Sequence, residues 1–470
     1  MVTFLKALQL ALVVGPAVLA GPASLAAQRD AARALERELL KQLVEINTSD
    51  SAGHTRDAAQ LLASRLIAAG LPASDVQVVG YEPKYQSLVA RLRGKNPDAK
   101  PILLMAHLDV VDARKEDWTF DPYVFREQDG YYWGRGTTDD KFGAAMLVAS
   151  FIRYKQEGFV PDRDVIIALT ADEETSGASI QWLVQKRRDL VDADFALNAD
   201  AGGGELKNGK GIAFSVQTAE KVYLSFQFEV RNKGGHSSLP EPDNAIYRLS
   251  DGLTRLAHHT FPVHLNETTR AFFEGAAKNQ PAAIAADMRA VAHASDAAAA
   301  RRLSAVPYYN SVMRTTCVAT RLFGGHADNA LPQVARATVN CRMLPDDQAD
   351  HVEAVLRRAV ADSAIHITRV GDAQPSPASP LRPDVMGPVE QLVHTMWPDA
   401  AIVPEMSTGA TDGAATRNGG IPTYGVGAVF ERIDDVRAHG KDERIRVQSY
   451  HDAAEFWYRL VKLLTSRTGV

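Results

Sequence analysis

Five short segments of this chain, which has 470 residues, are rich in histidine and carboxylate side chains. They are residues 107–109, 134–139, 172–174, 198–200 and 439–440. Two imidazoles and several carboxylates, with no cysteine among them, suit a pair of divalent cations such as zinc. The adjacent residues Glu173 and Glu174 add to this, because one carboxylate can bind a metal while the other transfers a proton. The set therefore predicts a metal-dependent hydrolase.

Charge balance predicts how these side chains share two ions. Two Zn²⁺ ions carry four positive charges, which three carboxylates and a bridging hydroxide neutralise, so that the cluster can be partly buried. Asp139 bridges the ions in this assignment, at the separation of about 3.5–4 Å that two-metal sites show. His107 and Asp200 complete one ion, and Glu174 and His439 complete the other. Co²⁺ or Mn²⁺ are alternatives to zinc.

Two further carboxylates complete the predicted chemistry. Glu173 takes the proton of the attacking water and passes it to the leaving nitrogen. Asp109 follows His107 by two positions at a strand end, so its carboxylate is expected to orient that imidazole. Asp140 competes with Asp139 for the ligand position, because either residue can cap the helix that follows. Each residue alone fits a cap, a turn or a surface charge, but their coincidence at strand ends favours a site.

The composition restricts the class of protein. The chain is 46% hydrophobic and 23% charged, which is typical of globular proteins, and its length predicts two domains. A net charge of −5 and the lack of a Lys/Arg-rich segment argue against binding of nucleic acid. The glycines at 134, 136 and 202–204 lack the spacing of a dinucleotide-binding oxidoreductase.

Residues 1–26 have the pattern of a secretory signal peptide. Lys6 precedes a short apolar segment, and small residues follow it, with Ala20 and Ala26 as candidate cleavage positions. An uncleaved anchor is the alternative. No later segment is long and apolar enough to span a bilayer, so the mature protein is predicted to be secreted or periplasmic, without a membrane span.

Strands and helices alternate through residues 27–218, which predicts a catalytic domain with a mixed, mostly parallel sheet flanked by helices. Buried strands are predicted at 102–106, 165–170 and 195–198, each just before a ligand segment. Since the carboxyl ends of parallel strands meet at one edge, we expect the ligands to converge there. The same domain is expected to resume at 372–470.

Residues 219–371 predict an inserted ferredoxin-like α+β domain with two helices and four strands. An alanine-rich segment at about 262–312 interrupts it and predicts additional helices. Cys317 and Cys341 would lie opposite each other in a hairpin centred near Asn329, so they either form a disulfide or remain two thiols.

These motifs resemble peptidase family M20, the di-zinc carboxypeptidases, aminoacylases and deacylases, over essentially the whole mature chain. The matching segments are HLDVV at 107–111, WGRGTTDDK at 133–141, DEE at 172–174 and GHSS at 235–238. The resemblance implies a zinc-exopeptidase catalytic domain and an inserted lid that forms homodimers. By position it implies that Glu173 is the general base and that the metal ligands are His107, Asp139, Glu174, Asp200 and His439.

The resemblance also implies roles for residues outside the metal cluster. His236 would stabilise the oxyanion of the tetrahedral intermediate, often across a dimer interface; from its surroundings alone it is a histidine in a glycine-rich turn. Asn329 and Arg342 match lid residues that contact substrate, and a guanidinium suits a terminal carboxylate. Thr411 lies in a segment, residues 409–413, that matches a substrate-side loop.

This chain departs from the family pattern in two ways. Many members have Glu at the position of Asp200, and the lid is longer than in compact members, as in the vacuolar carboxypeptidase and secreted N-acyl-amino-acid hydrolase branch. The predicted activity is hydrolysis of an amide bond beside a free carboxylate, as a carboxypeptidase or dipeptidase, with N-acyl amino acid deacylation as the alternative. A metal- or peptide-binding protein that lost catalysis is the non-enzyme alternative, which the presence of Glu173 argues against.

Overall fold

The computed structural model describes residues 22–51, 53–374, 376–432 and 434–466. Residues 1–21 of the predicted signal peptide lie outside this part of the chain. In the described residues we find no helix with both the length and the apolar character that crossing a bilayer requires.

The described helices begin and end as follows: α1 (Pro22–Val44), α2 (Arg56–Ala68), α3 (Lys141–Gln156), α4 (Ala178–Lys186), α5 (Arg188–Val191), α6 (Ala245–Ala257), α7 (Glu267–Ala276), α8 (Ala282–Ala294), α9 (Ala297–Leu303), α10 (Pro307–Met313), α11 (Ala349–Val360), α12 (Pro383–Met396), α13 (Gly413–Asn418) and α14 (Val447–Thr465).

The described strands are β1 (Val76–Val79), β2 (Ser87–Leu92), β3 (Ile102–His107), β4 (Arg126–Gln128), β5 (Tyr131–Trp133), β6 (Val165–Thr170), β7 (Phe195–Asn198), β8 (Gly203–Lys207), β9 (Lys210–Glu220), β10 (Val222–Arg231), β11 (Gly235–His236), β12 (Thr316–Gly324), β13 (Ala330–Leu331), β14 (Val334–Met343), β15 (His366–Val370), β16 (Ala401–Ser407), β17 (Thr423–Gly425), β18 (Phe430–Arg432) and β19 (Arg444–Arg446).

The largest sheet of the described residues is mixed and has the strand order β1-β2-β6-β3-β7-β17-β9-β8-β18, with β16 also paired to β9. Its central strands β6, β3, β7 and β17 run parallel. Both faces are covered, because alternate residues of β3 enter different cores: Leu104 packs on the side of α3 and α14, whereas Leu103 packs on the side of α4. Burial on both faces explains the continuous apolar run of this strand. The predicted fold class is confirmed.

The second sheet has the order β12-β14-β10-β15, and α6 and α11 pack together on one of its faces. This is the ferredoxin-like arrangement predicted for the inserted domain. Cys317 and Cys341 are register partners on β12 and β14 and form a disulfide. Of the two outcomes left open by the sequence, the structure therefore has the bridge.

The alanine-rich insertion contains helices α7 to α10, as its composition predicts. These helices pack against the large sheet, where Phe273 and Met288 share a core with Val403 and Met406 of β16. Gly275 of α7 approaches so closely that an added Cβ would lie 2.8 Å from the Val403 side chain. The insertion therefore extends the wall of the catalytic domain, while the domain limits themselves remain a prediction.

Candidate metal centre

The predicted ligands come from the edge of the sheet at which the central strands end. His107 is the last residue of β3, which lies between the parallel strands β6 and β7. Glu174 follows β6 and Asp200 follows β7, so parallel pairing brings all three to one edge. Asp139 precedes α3, and His439 lies in the loop between β18 and β19.

Asp139 lies between the two histidines. Its Oδ1 is 2.9 Å from Nε2 of His107, and its Oδ2 is 3.0 Å from Nε2 of His439. The same nitrogen of His439 is 3.0 Å from Oε2 of Glu174. Nε2 of His107 is 3.7 Å from Oδ1 of Asp200. The five predicted ligands thus form one continuous cluster in which Asp139 occupies the bridging position.

The protonation of His107 shows why this cluster suits a cation. Its Nδ1 is 3.0 Å from the backbone carbonyl oxygen of Asp109, which can only accept, so Nδ1 carries the hydrogen. In the neutral ring Nε2 then has a lone pair that faces the carboxylate of Asp139. A positive charge between the two atoms, either a proton or a metal ion, makes this contact favourable. The ligand atoms of His107, Asp139 and Glu174 all lie within 4.8 Å of one another.

Two carboxylate oxygens give independent support for bound cations. Oε1 of Glu174 and Oδ1 of Asp140 are buried and have no hydrogen-bond partner among the described residues. A buried, unsatisfied acceptor costs about 1–3 kcal/mol, and more when it is charged. A divalent cation bound by Glu174 would satisfy the first of these atoms. The donor set therefore fits hard or borderline divalent metals such as zinc.

Asp140 takes a different position from Asp139. It is the residue before the first turn of α3, and its Oδ2 accepts a hydrogen bond from the backbone N–H of His107 at 3.3 Å. Its carboxylate also comes near His107 and Asp200, as a second set of three potential ligands. Only Asp139 contacts both histidines in the described structure, which favours Asp139 as the bridging residue.

Asp109 supports the turn that carries the paired glutamates. Its carboxylate accepts hydrogen bonds from the backbone N–H groups of Glu173 (3.2 Å) and Glu174 (3.0 Å). Its Oδ1 is also 3.5 Å from Nδ1 of His107. The buried carboxylate of Asp109 therefore fixes the backbone of both glutamates, while the imidazole of His107 is held mainly by the carbonyl oxygen of Asp109.

Glu443, which the sequence did not single out, joins the two loops that hold Asp139 and His439. Its carboxylate accepts hydrogen bonds from Arg135 at 2.6 Å and from the backbone N–H groups of Gly136 (3.1 Å) and Thr138 (2.7 Å). Arg135 also donates to the carbonyl oxygen of the residue after His439, at 3.0 Å. These contacts hold His439 in the left-handed backbone region, with φ of 63°.

The carboxylates of the site are crowded and buried. Burial, reinforced by the charge of Asp200, raises the pKa of Glu173 well above its usual range. Burial also raises the pKa of Asp200 to about 6. Hydrogen bonds to Asp139 and Glu174 raise the pKa of His439 to about 10. Positive ions would therefore offset the cost of keeping these buried carboxylates ionised.

The site opens into a cavity of 260 Å³. Its lining includes Glu173 and the predicted ligands Asp139, Glu174, Asp200 and His439, together with Thr411. Thr411 is thus placed beside the cluster. Its hydroxyl donates to Glu220 at 2.9 Å, and the buried carboxylate of Glu220 pairs with Arg417 at 2.8 Å. This buried pair, which the sequence did not indicate, positions the loop that carries Thr411.

The other predicted residues lie on the inserted domain and do not line this cavity. His236 is exposed on β11, where its Nδ1 accepts the backbone N–H of Ser238 at 3.2 Å. The backbone carbonyl oxygen of Asn329 accepts a hydrogen bond from the backbone N–H of Ser237 at 3.0 Å. Arg342 lies on β14 with its guanidinium 4.8 Å from the ring centre of Tyr223.

Comparison with known proteins gives consistent matches. The family model described as peptidase family M20/M25/M40 matches residues 103–463. Over 390 residues the chain is 29% identical to "Probable carboxypeptidase S-like 2" of Dictyostelium discoideum, covering 80% of this chain and 74% of that protein. Over 382 residues it is 29% identical to "N-fatty-acyl-amino acid synthase/hydrolase PM20D1" of Homo sapiens, covering 79% and 75%. The crystal structure of an M20 family metallo-carboxypeptidase, Sso-CP2 from Sulfolobus solfataricus, has the same fold, with a TM-score of 0.69. The two sequences are 16% identical, and the match covers 92% of this chain and 99% of that chain.

Proposed function

The chain belongs to peptidase family M20/M25/M40, as its motifs predicted, and we propose that it cleaves an amide bond adjacent to a free carboxylate. It is an enzyme, a metal-dependent hydrolase of the exopeptidase and amidohydrolase type. The observation that carries the proposal is the position of Asp139 between His107 and His439, with Glu173 on the wall of the same cavity.

The proposed cofactor is a pair of zinc ions, with Co²⁺ or Mn²⁺ as alternatives. His107, Asp139 and Asp200 would hold one ion, and Asp139, Glu174 and His439 the other. Bound there, the ions would lower the pKa of a water molecule and polarise the scissile carbonyl group.

Glu173 is the proposed general base. Its pKa lies well above the usual range because the side chain is buried close to Asp200, which makes it a stronger base than an exposed glutamate. It would take a proton from the attacking water and deliver it to the leaving nitrogen. Asp109 fixes the backbone of Glu173 and so determines where that proton is taken up.

The proposed substrates are small peptides or N-acyl amino acids. The names of the relatives span both groups, a carboxypeptidase and an N-fatty-acyl-amino acid hydrolase. Carboxypeptidase or dipeptidase action is the first candidate, and N-acyl amino acid hydrolysis is the second. A large cavity beside the metal centre favours the second candidate.

We further propose that the inserted domain supplies substrate contacts through Asn329 and Arg342 and the oxyanion contact through His236. His236 is exposed and lies off the cavity of its own chain, which fits a contribution to the site of a second copy in a homodimer. Thr411 lines the cavity itself and would contact the substrate directly.

Export from the cytoplasm is the proposed location, either secreted or periplasmic. The disulfide between Cys317 and Cys341 supports this location, because disulfides persist in oxidising compartments. The leader-like residues 1–26 would then act as the signal peptide.

A substrate panel combined with metal depletion tests the function. The purified protein is assayed against dipeptides, N-acetyl amino acids and long-chain N-acyl amino acids, before and after treatment with a chelator. We expect hydrolysis of at least one class, its loss on chelation and its recovery with Zn²⁺. Hydrolysis that is insensitive to chelation, or no hydrolysis of any class by the metal-loaded protein, would contradict the proposal.

A further inference from the structure

A second, larger cavity of 790 Å³ lies next to the metal centre. It shares Asp200, Ala201, Gly202 and Glu405 with the cavity that opens onto the metal ligands. The two spaces are therefore adjacent at the carboxyl end of β7. A volume of this size is in the range of sites that bind whole small ligands, about 300–1,000 Å³.

The walls of this larger cavity are rich in apolar and aromatic side chains. Ile212 lies on the strand side, and Phe272 and Tyr308 lie on the side of the helical insertion. The rings of Phe272 and Tyr308 contact each other edge to face, with centroids 5.8 Å apart. Val403 of β16 also lines the cavity. A chain of methylene groups can be buried against this surface, because apolar side chains do not require hydrogen bonds from their ligand.

Two hydrogen bonds link the helical insertion to the large sheet along this wall. The hydroxyl of Tyr308 donates to Glu405 at 3.3 Å, at the junction with the metal centre. The side-chain amide of Asn279 donates to the carbonyl oxygen of Ile212 at 3.0 Å. Lys207 and Arg432 also line the cavity but are exposed, so they mark the end that opens to solvent. The helical insertion therefore forms one side of a cavity that borders the metal centre.

We propose that this cavity is the binding site for the hydrocarbon chain of a long-chain N-acyl amino acid, and that residues 262–312 form its acyl-binding wall. This proposal rests on the proposed function, because the chain must end at a scissile amide beside the metal ligands. The carboxylates Glu205, Glu405 and Glu431 also reach the cavity. A peptide with a free amino group is therefore the competing occupant.

If the cavity binds the acyl chain, kcat/KM should depend on the length of that chain. Each buried methylene contributes about 0.8 kcal/mol, which corresponds to an increase in kcat/KM of about fourfold per methylene until the cavity is filled. We measure kcat/KM for N-acyl derivatives of one amino acid with acyl chains of two to sixteen carbons, and for the matching dipeptides. The proposal predicts that kcat/KM rises with chain length and exceeds the value for the matching dipeptides at the longest chains.

Two matched variants in the insertion test whether the acyl chain binds in this cavity. Ala276→Phe adds a ring to the cavity wall, and Ala286→Phe adds the same ring to an exposed position of α8. We expect the ratio of kcat/KM for dodecanoyl over acetyl substrates to fall at least tenfold in the first variant and to stay constant in the second. Ile212→Trp, which fills the cavity from the strand side, gives the same test if the first variant does not fold.

A binding measurement separates this proposal from the proposed function. Isothermal titration calorimetry of the intact protein with dodecanoate should show binding that Ala276→Phe weakens and Ala286→Phe does not. If no amide is hydrolysed but dodecanoate binds in this way, the proposed function fails and the cavity assignment stands. If dipeptides or N-acetyl amino acids are hydrolysed, kcat/KM does not rise with chain length and dodecanoate does not bind, the cavity assignment is wrong and the proposed function stands.

Discussion

The carboxylate of Glu443 lies 2.6 Å from the guanidinium of Arg135, and both side chains are almost completely buried. This pair connects the segment that carries Asp139 with the loop that carries His439. It therefore helps to place the side chains of Asp139 and His439 within contact distance of each other.

Glu443→Gln should destabilise the protein by about 3–5 kcal/mol, because it leaves the charge of Arg135 buried without its partner. Urea unfolding measures this change. Glu45→Gln, which removes an exposed pair with Lys41, is the control and should cost less than about 1 kcal/mol. Equal effects of the two changes would show that the buried pair has no special role.

Glu173→Gln should impair turnover and Glu174→Gln should impair metal binding, although the two residues are adjacent. The first should lower kcat by at least about 10²–10⁴-fold with the metal content unchanged, because it removes the proton acceptor. The second should lower the metal content, because Glu174 contacts His439 in the cluster. Mass spectrometric metal analysis and turnover assays on both variants check this. Full turnover by Glu173→Gln would contradict the assignment of the general base.

Asp109→Asn should weaken metal binding by about 10–100-fold, as is typical when a group that supports a ligand is changed. The amide has one acceptor oxygen where the carboxylate offers two to the N–H groups of Glu173 and Glu174. Competition with a chelator measures the affinity. Asp112→Asn changes an exposed residue that bonds to Ser51, and it should leave the affinity unchanged.

Lys221 should make the stability depend on pH in the alkaline range. Burial lowers the pKa of this lysine from 10.5 to about 7, and its ammonium donates to the carbonyl oxygens of Arg314 and Arg342. Between these two pKa values the unfolded chain binds more protons than the folded protein, so this contribution to stability rises with pH. The slope is at most about 1.4 kcal/mol per pH unit. Unfolding free energies at pH 7.5 and 9 should differ less in Lys221→Met than in the wild type; identical differences would contradict the prediction.

Replacement of Cys317 and Cys341 by alanine should lower the stability by about 3 kcal/mol, because the cross-link closes a loop of moderate length in the unfolded chain. Thermal unfolding with and without a reducing agent measures the effect. The reducing agent should destabilise the wild type and leave the double variant unchanged. An insensitive wild type would argue against the bridge.

The sequence predicted those parts of the fold whose local pattern is strong. The boundaries of β6 and β7 match the predicted strands, because each is a short apolar run with clear flanks. The hairpin of β8 and β9 and the strand β16 were not predicted. Glycines at one end of β8 and a proline within β16 obscure their patterns, and their pairing depends on contacts distant in sequence.

The same distinction applies to the site. His107, Asp139 and Glu174 belong to segments whose residue types indicate metal binding, and the structure places them in contact. Glu443 and Glu220 stand in ordinary charged segments, and only tertiary structure shows that each is buried with an arginine partner. The large cavity beside Asp200 also has no local signal, because residues from distant parts of the chain form its walls.

Anomalous diffraction from crystals of the zinc-loaded protein, recorded at the zinc absorption edge, is the most direct test of the metal centre. We expect two peaks about 3.5–4 Å apart with Asp139 between them, one beside His107 and Asp200 and the other beside Glu174 and His439. No peak at these residues, or zinc bound only elsewhere on the chain, would contradict the assignment on which the proposed function depends.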